Sequence, residues 1–365
     1  MARTPEVEGG RSIARRSGIE LLRIISMLMI VAHHFAVHSD WGAAATGFNS
    51  CLIGVFAAFG KVAVGIFFII TGYFLAKSVA KPTTLRGVLK LCRPVWFWAM
   101  FIFISFVLAN RSNLTLENIG MAVFPISMNT YWFITTYLII YLLSPYLKDL
   151  LDSLTNRRLI ALIGTLIAVE VIPNIISVFS QNGRREYLGM VLLGILYATI
   201  GYAISRFSKI LQQQKRTIYI LTLISGAILA LQVPIVHVWN RLLPHFPIDG
   251  LYIWVGSSII VMVFSAGLFY IFSRFNFRIH FVNYLAGLVF GVYLIHDNAF
   301  IRQWLWRDTL IGSESVATSA PAFFLYSVNV IAAVFFISLA LEAVRQATAR
   351  IAIQVYRRLP VKIKR

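Results

Sequence analysis

Apolar residues in this chain fall into runs of about twenty, separated by short connections rich in lysine and arginine. Twenty helical residues rise about 30 Å, the thickness of a bilayer's hydrocarbon core. Such runs lie at 18–38, 51–76, 88–109, 131–150, 158–178, 187–205, 217–238, 251–273, 283–301 and 321–345. In lipid only helices and closed barrels satisfy backbone hydrogen bonds, and runs this long and this apolar predict helices. The pattern therefore predicts an all-α fold, a polytopic membrane helix bundle of about ten transmembrane helices. The bundle would occupy 18–345, between basic tails at 1–17 and 346–365. Neither an internal repeat nor paired broken helices are read from the pattern, and no second domain. The first span lacks the features of a cleavable signal peptide and is expected to be retained.

Composition agrees. The chain is 59% hydrophobic and 13% charged, with a mean hydropathy of +0.77. A soluble domain of 365 residues would need far more charge to cover its surface. The net charge of +19 is also informative by its placement. With an even number of spans both ends share a side, and 24 of the 33 lysines and arginines fall on that side. The opposite side holds Arg111, Arg184, Arg185, Arg241, Arg302 and Arg307. The positive-inside rule then predicts both termini in the cytoplasm, with a basic girdle facing the anionic lipid of the inner leaflet. The bilayer is thus the expected partner. Nucleic acid is not, because the charges are dispersed among short loops. Cys51 and Cys92 sit at opposite expected faces, too far apart to bridge.

Polar residues inside the spans carry the candidate chemistry. Charges buried in a membrane are costly and by default mark functional positions. The first span holds Arg23 and His34, eleven residues apart. That is about three turns, so the two share nearly one face roughly 16 Å apart along the axis. Glu20, three residues before Arg23, is placed for an intrahelical ion pair. Taken alone, Arg23 also fits a snorkelling anchor and His34 a packing residue. His34 and His38 share a face at four-residue spacing, which suits a metal, but no carboxylate joins them except Asp40 in the next loop, so no metal site is expected. The ninth span reads Phe290-Gly291-Val292-Tyr293-Leu294-Ile295-His296-Asp297-Asn298. His296 is expected level with His34 near the outer boundary, while the adjacent Asp297 on a continuous helix would point elsewhere. The fourth span opens with Tyr131-Trp132 and continues to Tyr141 and Pro145. Lys61, Glu170 and Arg93 are the remaining intramembrane charges.

At these residues the chain resembles the acyltransferase-3 family of integral membrane O-acyltransferases, and more closely its Gram-positive-like branch. An arginine, ten residues and a histidine in the first span are met by Arg23 and His34. The run Gly65-Ile66-Phe67-Phe68-Ile69-Ile70-Thr71-Gly72 is similar to the family's second-span motif, and Tyr131-Trp132 through Pro145 to its fourth. Gly291-Val292-Tyr293-Leu294-Ile295-His296 is similar to its late tyrosine–histidine motif. Many relatives carry adjacent glutamates where this chain has Tyr137 and Leu138, so no role is carried over to a span-four carboxylate.

The resemblance implies transfer of an acyl group, usually acetyl, from cytoplasmic acyl-CoA to a hydroxyl of an extracytoplasmic carbohydrate such as a cell-surface polysaccharide or glycolipid. Acyl-CoA would be a donor substrate, with no permanently bound cofactor, in a multi-pass protein of a bacterial cytoplasmic membrane. His34 would act as general base or transient acyl carrier, since an imidazole titrates near neutrality. Arg23 would hold the donor's phosphates by charge-assisted hydrogen bonds, with Lys90, Arg93 and Lys77 at the nucleotide end. Tyr293, His296, Trp132, Tyr131 and Glu20 are possible supporting residues. A transporter of lipid-linked glycans, a non-catalytic partner in envelope glycan synthesis and an amine acceptor stay open at this point. Oligomeric state is unknown from the sequence.

Overall fold

The computed structural model describes residues 17–41, 47–79, 82–179, 189–245, 258–310 and 316–358. Among these residues the regular structure is helical, with no strand. The long helices are α1 (Ser17–His38), α2 (Gly47–Lys77) and α3 (Leu85–Ala109). A short α4 (Leu116–Val123) leads to α5 (Trp132–Ser153), α6 (Asn156–Phe179) and α7 (Gly189–Arg206). Next come α8 (Ser208–Gln213), α9 (Lys215–Ala230), α10 (Gln232–Leu242) and α11 (Ile259–Ser273). The chain closes with α12 (His280–Ala286), α13 (Val289–His296), α14 (Ala299–Gln303), a π-helical turn (Trp304–Thr309) and α15 (Ala320–Arg358).

Five of these helices are long and apolar enough to cross a membrane: α1, α2, α3, α7 and the Ala320–Val355 stretch of α15. Two bent pairs raise the number to seven if each pair is one span. Among the described residues the expected count of ten is therefore not confirmed, although helix is found in every predicted run. The segment 251–257 of the eighth run and residues 1–16 of the first tail lie outside the described residues. α15 continues as helix past the expected end of the last span at 345, through Arg358.

The broken helices correct the expectation of unbroken spans, and local chemistry explains both. In the seventh run α9 and α10 meet at a 65° bend. Pro234 lies just past the break and has no N–H to give, while its ring excludes the carbonyl four residues back, at Ala230. Gln232 at the junction donates instead across the bundle to the Gly54 carbonyl (2.5 Å). In the ninth run, α12–α13 and the segment from α14 to Thr309 are bent by 73°. Here Asn298 caps the new helix: its side chain accepts from the Phe300 N–H at 3.1 Å, serving one of the donors a helix start leaves unpaired.

α2 is the hub, packed along α7 and α1 and also against α11. Its face of Val62, Ile66, Ile69 and Ile70 is almost fully buried. The α2–α7 crossing is close because glycines face it. A side chain at Gly72 would run into the Ala198 carbonyl, and one at Gly201 into the Ile69 carbonyl. α1 lies between α2 and the late helices α12 and α13. Its first residue is pinned there: Ser17 Oγ accepts from Ile279 N (2.8 Å) and donates to Asn283 Oδ1 (3.0 Å). α13 is fastened on its other side by the buried Glu342, which accepts from Trp98 Nε1 (2.8 Å) and Arg345 Nε (2.7 Å) and packs on Gly291. By contrast, Phe97, Phe101, Ile104 and Leu108 of α3 and Phe324, Leu325, Phe336 and Ile337 of α15 are exposed apolar side chains. Such continuous stripes suit lipid rather than water.

The glycine contacts give a direct test of the crossing. Gly72→Val should destabilise the protein by roughly 1–3 kcal/mol through overpacking. Gly164→Val, where nothing lies within 4 Å, should leave stability unchanged. Thermal unfolding of both variants in detergent would measure the difference.

Candidate functional site

One face of α1 lines two cavities. Positions 23, 27, 30, 34, 37 and 38 are spaced by threes and fours, so their side chains lie one above another. Toward the N-terminal end, Arg23, Met27 and Ile30 border a cavity of about 270 Å³ completed by Phe67, Thr71, Leu91, Phe133, Tyr137, Phe290 and Tyr293, among others. Toward the C-terminal end, Ile30, His33, His34, Val37 and His38 border a second of about 130 Å³. Lys61, Trp132, Phe133, Tyr293, Asp297 and Arg302 close that one. Ile30, Phe133 and Tyr293 belong to both linings, so they form the partition between the two.

Arg23 Nη1 donates to both oxygens of Glu20 at 3.2 Å, the ion pair the sequence spacing permits. Glu20 is buried and the Arg23 side chain about a third exposed. The guanidinium carbon also sits 5.9 Å from the Phe74 ring centroid. The pair neutralises Glu20 while leaving guanidinium N–H groups for an anion in the larger cavity.

At the other end the structure builds a polar cluster around His34. His34 is 7% exposed, and its Nδ1 lies 2.9 Å from His296 Nε2. His296 Nδ1 in turn lies 2.6 Å from the Val292 carbonyl. A carbonyl only accepts, so Nδ1 of His296 carries a proton. In neutral His296, Nε2 then accepts from Nδ1–H of His34, which leaves the lone pair of His34 on its own Nε2. The arrangement thus selects one tautomer of His34 and gives it a basic nitrogen.

Asp297 is a correction to the sequence expectation. On a continuous helix it would point away from its neighbour His296, but α13 ends at His296 and the chain turns at Asp297. Both side chains consequently face His34. Asp297 Oδ1 lies 3.6 Å from His34 Nδ1 and 4.0 Å from His38 Nε2. Arg302 Nη2 donates to Asp297 Oδ1 at 2.9 Å and to the Asp297 carbonyl at 3.0 Å, so the buried carboxylate is charge-compensated. The Tyr293 hydroxyl lies alongside Asp297. Neither that hydroxyl nor Asp297 Oδ2 makes a hydrogen bond of good geometry, although both are buried.

The other sequence candidates separate by placement. Trp132 lines the smaller cavity with Lys61 Nζ 5.8 Å from its ring centroid. Tyr131 is buried and holds the helix break together: it donates to the Leu294 carbonyl (3.0 Å) and accepts from Asn298 Nδ2 (2.8 Å). Lys90 and Arg93 are exposed on α3 and stand outside the larger cavity's lining, whereas their neighbour Leu91 is part of it. Lys77 Nζ donates to the Tyr73 hydroxyl (2.6 Å). His33 is bonded through Nδ1 to the Ala57 carbonyl at 2.7 Å. Sequence reading did not find Asp297 and Arg302 as partners of His34, nor Ile30 and Phe133 as the partition. The one available signal was the Asp-Asn pair at 297–298, a favoured helix-cap dipeptide inside an apparent span.

No curated protein and no solved structure matches the chain. A family model described as an acyltransferase domain matches residues 16–342, which takes in both cavities and every residue of the His34 cluster. The chain therefore belongs to the acyltransferase-3 family, and the protein is a multi-pass membrane acyltransferase.

Proposed function

We propose that this enzyme moves an acyl group, acetyl in the first instance, from cytoplasmic acyl-CoA to a hydroxyl of a carbohydrate on the far side of the bacterial cytoplasmic membrane. The observation that carries the reading is the pair of cavities on one face of α1, with a cation at one end and a buried histidine cluster at the other. The distribution of lysine and arginine supports an N-terminal end of α1 facing the cytoplasm. Arg23 then meets the donor's phosphates and the cavity beside it takes the pantetheine arm. The thioester reaches the partition formed by Ile30, Phe133 and Tyr293. The acceptor enters the smaller cavity, where Trp132 offers a face for a sugar ring.

The chemistry follows from the tautomer. Nε2 of His34 removes the acceptor's hydroxyl proton as the oxygen attacks the thioester carbon. The C–O bond forms, the tetrahedral intermediate collapses, and the C–S bond breaks to release CoA thiolate, which takes up a proton. Imidazolium forming at His34 is stabilised by Asp297 at 3.6 Å. The Tyr293 hydroxyl, buried and without a well-formed hydrogen bond, supplies a donor for the oxyanion. Bent helices also occur in transporters, but a protein that only moved glycan would not depend on a base at His34.

Three variants test this in membrane vesicles with labelled acetyl-CoA and extracted envelope glycan. His34→Ala should lower ester formation by roughly 10²–10⁴-fold while the protein still inserts; retained ester formation removes His34 from the mechanism. Arg23→Ala should raise KM for acyl-CoA by about tenfold or more, the loss of a charge-assisted contact. An unchanged KM reduces Arg23 to an anchor. Tyr293→Phe should lower kcat by about 10²-fold with little change in KM.

A further inference from the structure

The cluster at His34 also has the composition of a metal site. His34, His38 and Asp297 each offer one ligand atom, and these atoms all lie within 4.8 Å of one another. We propose that these three side chains bind a first-row divalent cation of the zinc type, and that its binding shuts off acyl transfer. The second half rests on His34 being the base; the first does not.

The ligand set is the first reason. Two imidazoles and a carboxylate with an open fourth position form a common zinc arrangement, and imidazole disfavours magnesium and calcium. Bonds of about 2.0 Å at tetrahedral angles place ligand atoms about 3.3 Å apart. Here His34 Nδ1 and His38 Nε2 already stand 3.6 and 4.0 Å from Asp297 Oδ1. Closing the set takes side-chain shifts on the order of 1 Å. His38, in the last turn of α1 with a quarter of its side chain exposed, has the freedom to make them.

The second reason is independent of spacing. Arg302 engages Asp297 Oδ1, but the carboxylate, only 2% exposed and with the Tyr293 hydroxyl alongside it, makes no hydrogen bond of good geometry at Oδ2. A buried oxygen with lone pairs unused calls for a partner, and Asp297 borders the same cavity as both histidines. That cavity, about 130 Å³, leaves room for water as fourth ligand, each water taking about 30 Å³. Arg302 holds Asp297 from outside the set, as a supporting residue does around a bound metal, while a cation on His34 Nδ1 takes the place of the proton that this atom shares with His296 Nε2. The Arg302 charge opposes the cation, so the site is a reversible one rather than a structural centre.

Binding commits one lone pair of His34 to the metal and leaves its other nitrogen protonated, so the ring loses its function as a base. The experiment uses the full-length protein in lipid nanodiscs, equilibrated with Zn²⁺, washed, and measured for bound zinc by mass spectrometry. Acyl transfer is read in parallel with and without Zn²⁺. Wild type should bind one equivalent and lose activity reversibly on adding zinc, with recovery on chelation. His38→Ala and Asp297→Asn should each bind zinc roughly 10- to 100-fold more weakly, and His38→Ala should keep the same activity with and without added zinc. His38→Gln, which keeps a side chain of similar reach, should behave as His38→Ala does and controls for misfolding. Equal zinc binding by wild type and the His38 variants overturns the proposal, as does no binding by wild type. If His34→Ala loses zinc yet still transfers acyl groups, the site stands and the base assignment fails. If it loses transfer and binds zinc as wild type does, the site fails and the base assignment stands.

Discussion

A carboxylate buried at a helix break is the constraint on which the site depends. An isolated ionised carboxylate in an apolar interior costs many kcal/mol, so Asp297 needs a cation beside it. Arg302 supplies one, but only because the chain bends by 73° after α13 and carries Arg302 back over the Asp297 carboxylate. The bend in turn requires that the backbone groups it exposes be satisfied. Asn298 meets one through its cap and passes a second hydrogen bond to Tyr131, which anchors the Leu294 carbonyl. Tyr131 thus contributes by holding the turn in which His296 and Asp297 both reach α1.

The same economy of contacts explains why α1 can present charges on a face that faces the bundle interior. Glu20 and Arg23 neutralise each other locally, so the N-terminal end of the stripe needs no partner from another helix. The C-terminal end does. His34 is served by His296, 262 residues later in the 280–296 segment, and its orientation is a tertiary product. Between the two ends the stripe is apolar, Met27 and Ile30, and there it meets Phe133 and Tyr293. An apolar stretch of the stripe thus separates two polar ends, with a cavity on either side.

Rigidity of this frame comes from the hub helix. Gly72 and Gly201 let α2 and α7 approach until backbone touches backbone, and Gly60 receives the His33 ring that neighbours His34. Close packing of this kind resists small displacements, which suits a site whose hydrogen bonds are between 2.6 and 3.0 Å. The lipid-facing helices α3 and α15 carry one apolar face outward and bury the other, with Val95, Trp98 and Ile102 of α3 and Phe323 and Phe335 of α15 packed inside, and at Glu342 α15 reaches in to fasten α13.

The class of the protein, its helical character and the polar positions Arg23, His34 and His296 inside apolar runs were legible in the chain, because lipid enforces long apolar runs and makes each buried charge conspicuous. The Glu20–Arg23 pair was legible too, since partners three residues apart on one helix are local. What sequence could not determine was set by breaks and crossings. A run of apolar residues does not show that α9 and α10 part at Leu231 or that α13 ends at His296, because hydropathy is blind to direction. On one straight helix through the ninth run Asp297 points away from His34, and Arg302 is a loop charge. Only the tertiary structure turned the chain at Asp297, set Arg302 upon it, and placed both beside a histidine more than 260 residues earlier. Hydrogen-bond partners so distant in sequence leave no periodic trace, and the chemistry of this site lives in those partners.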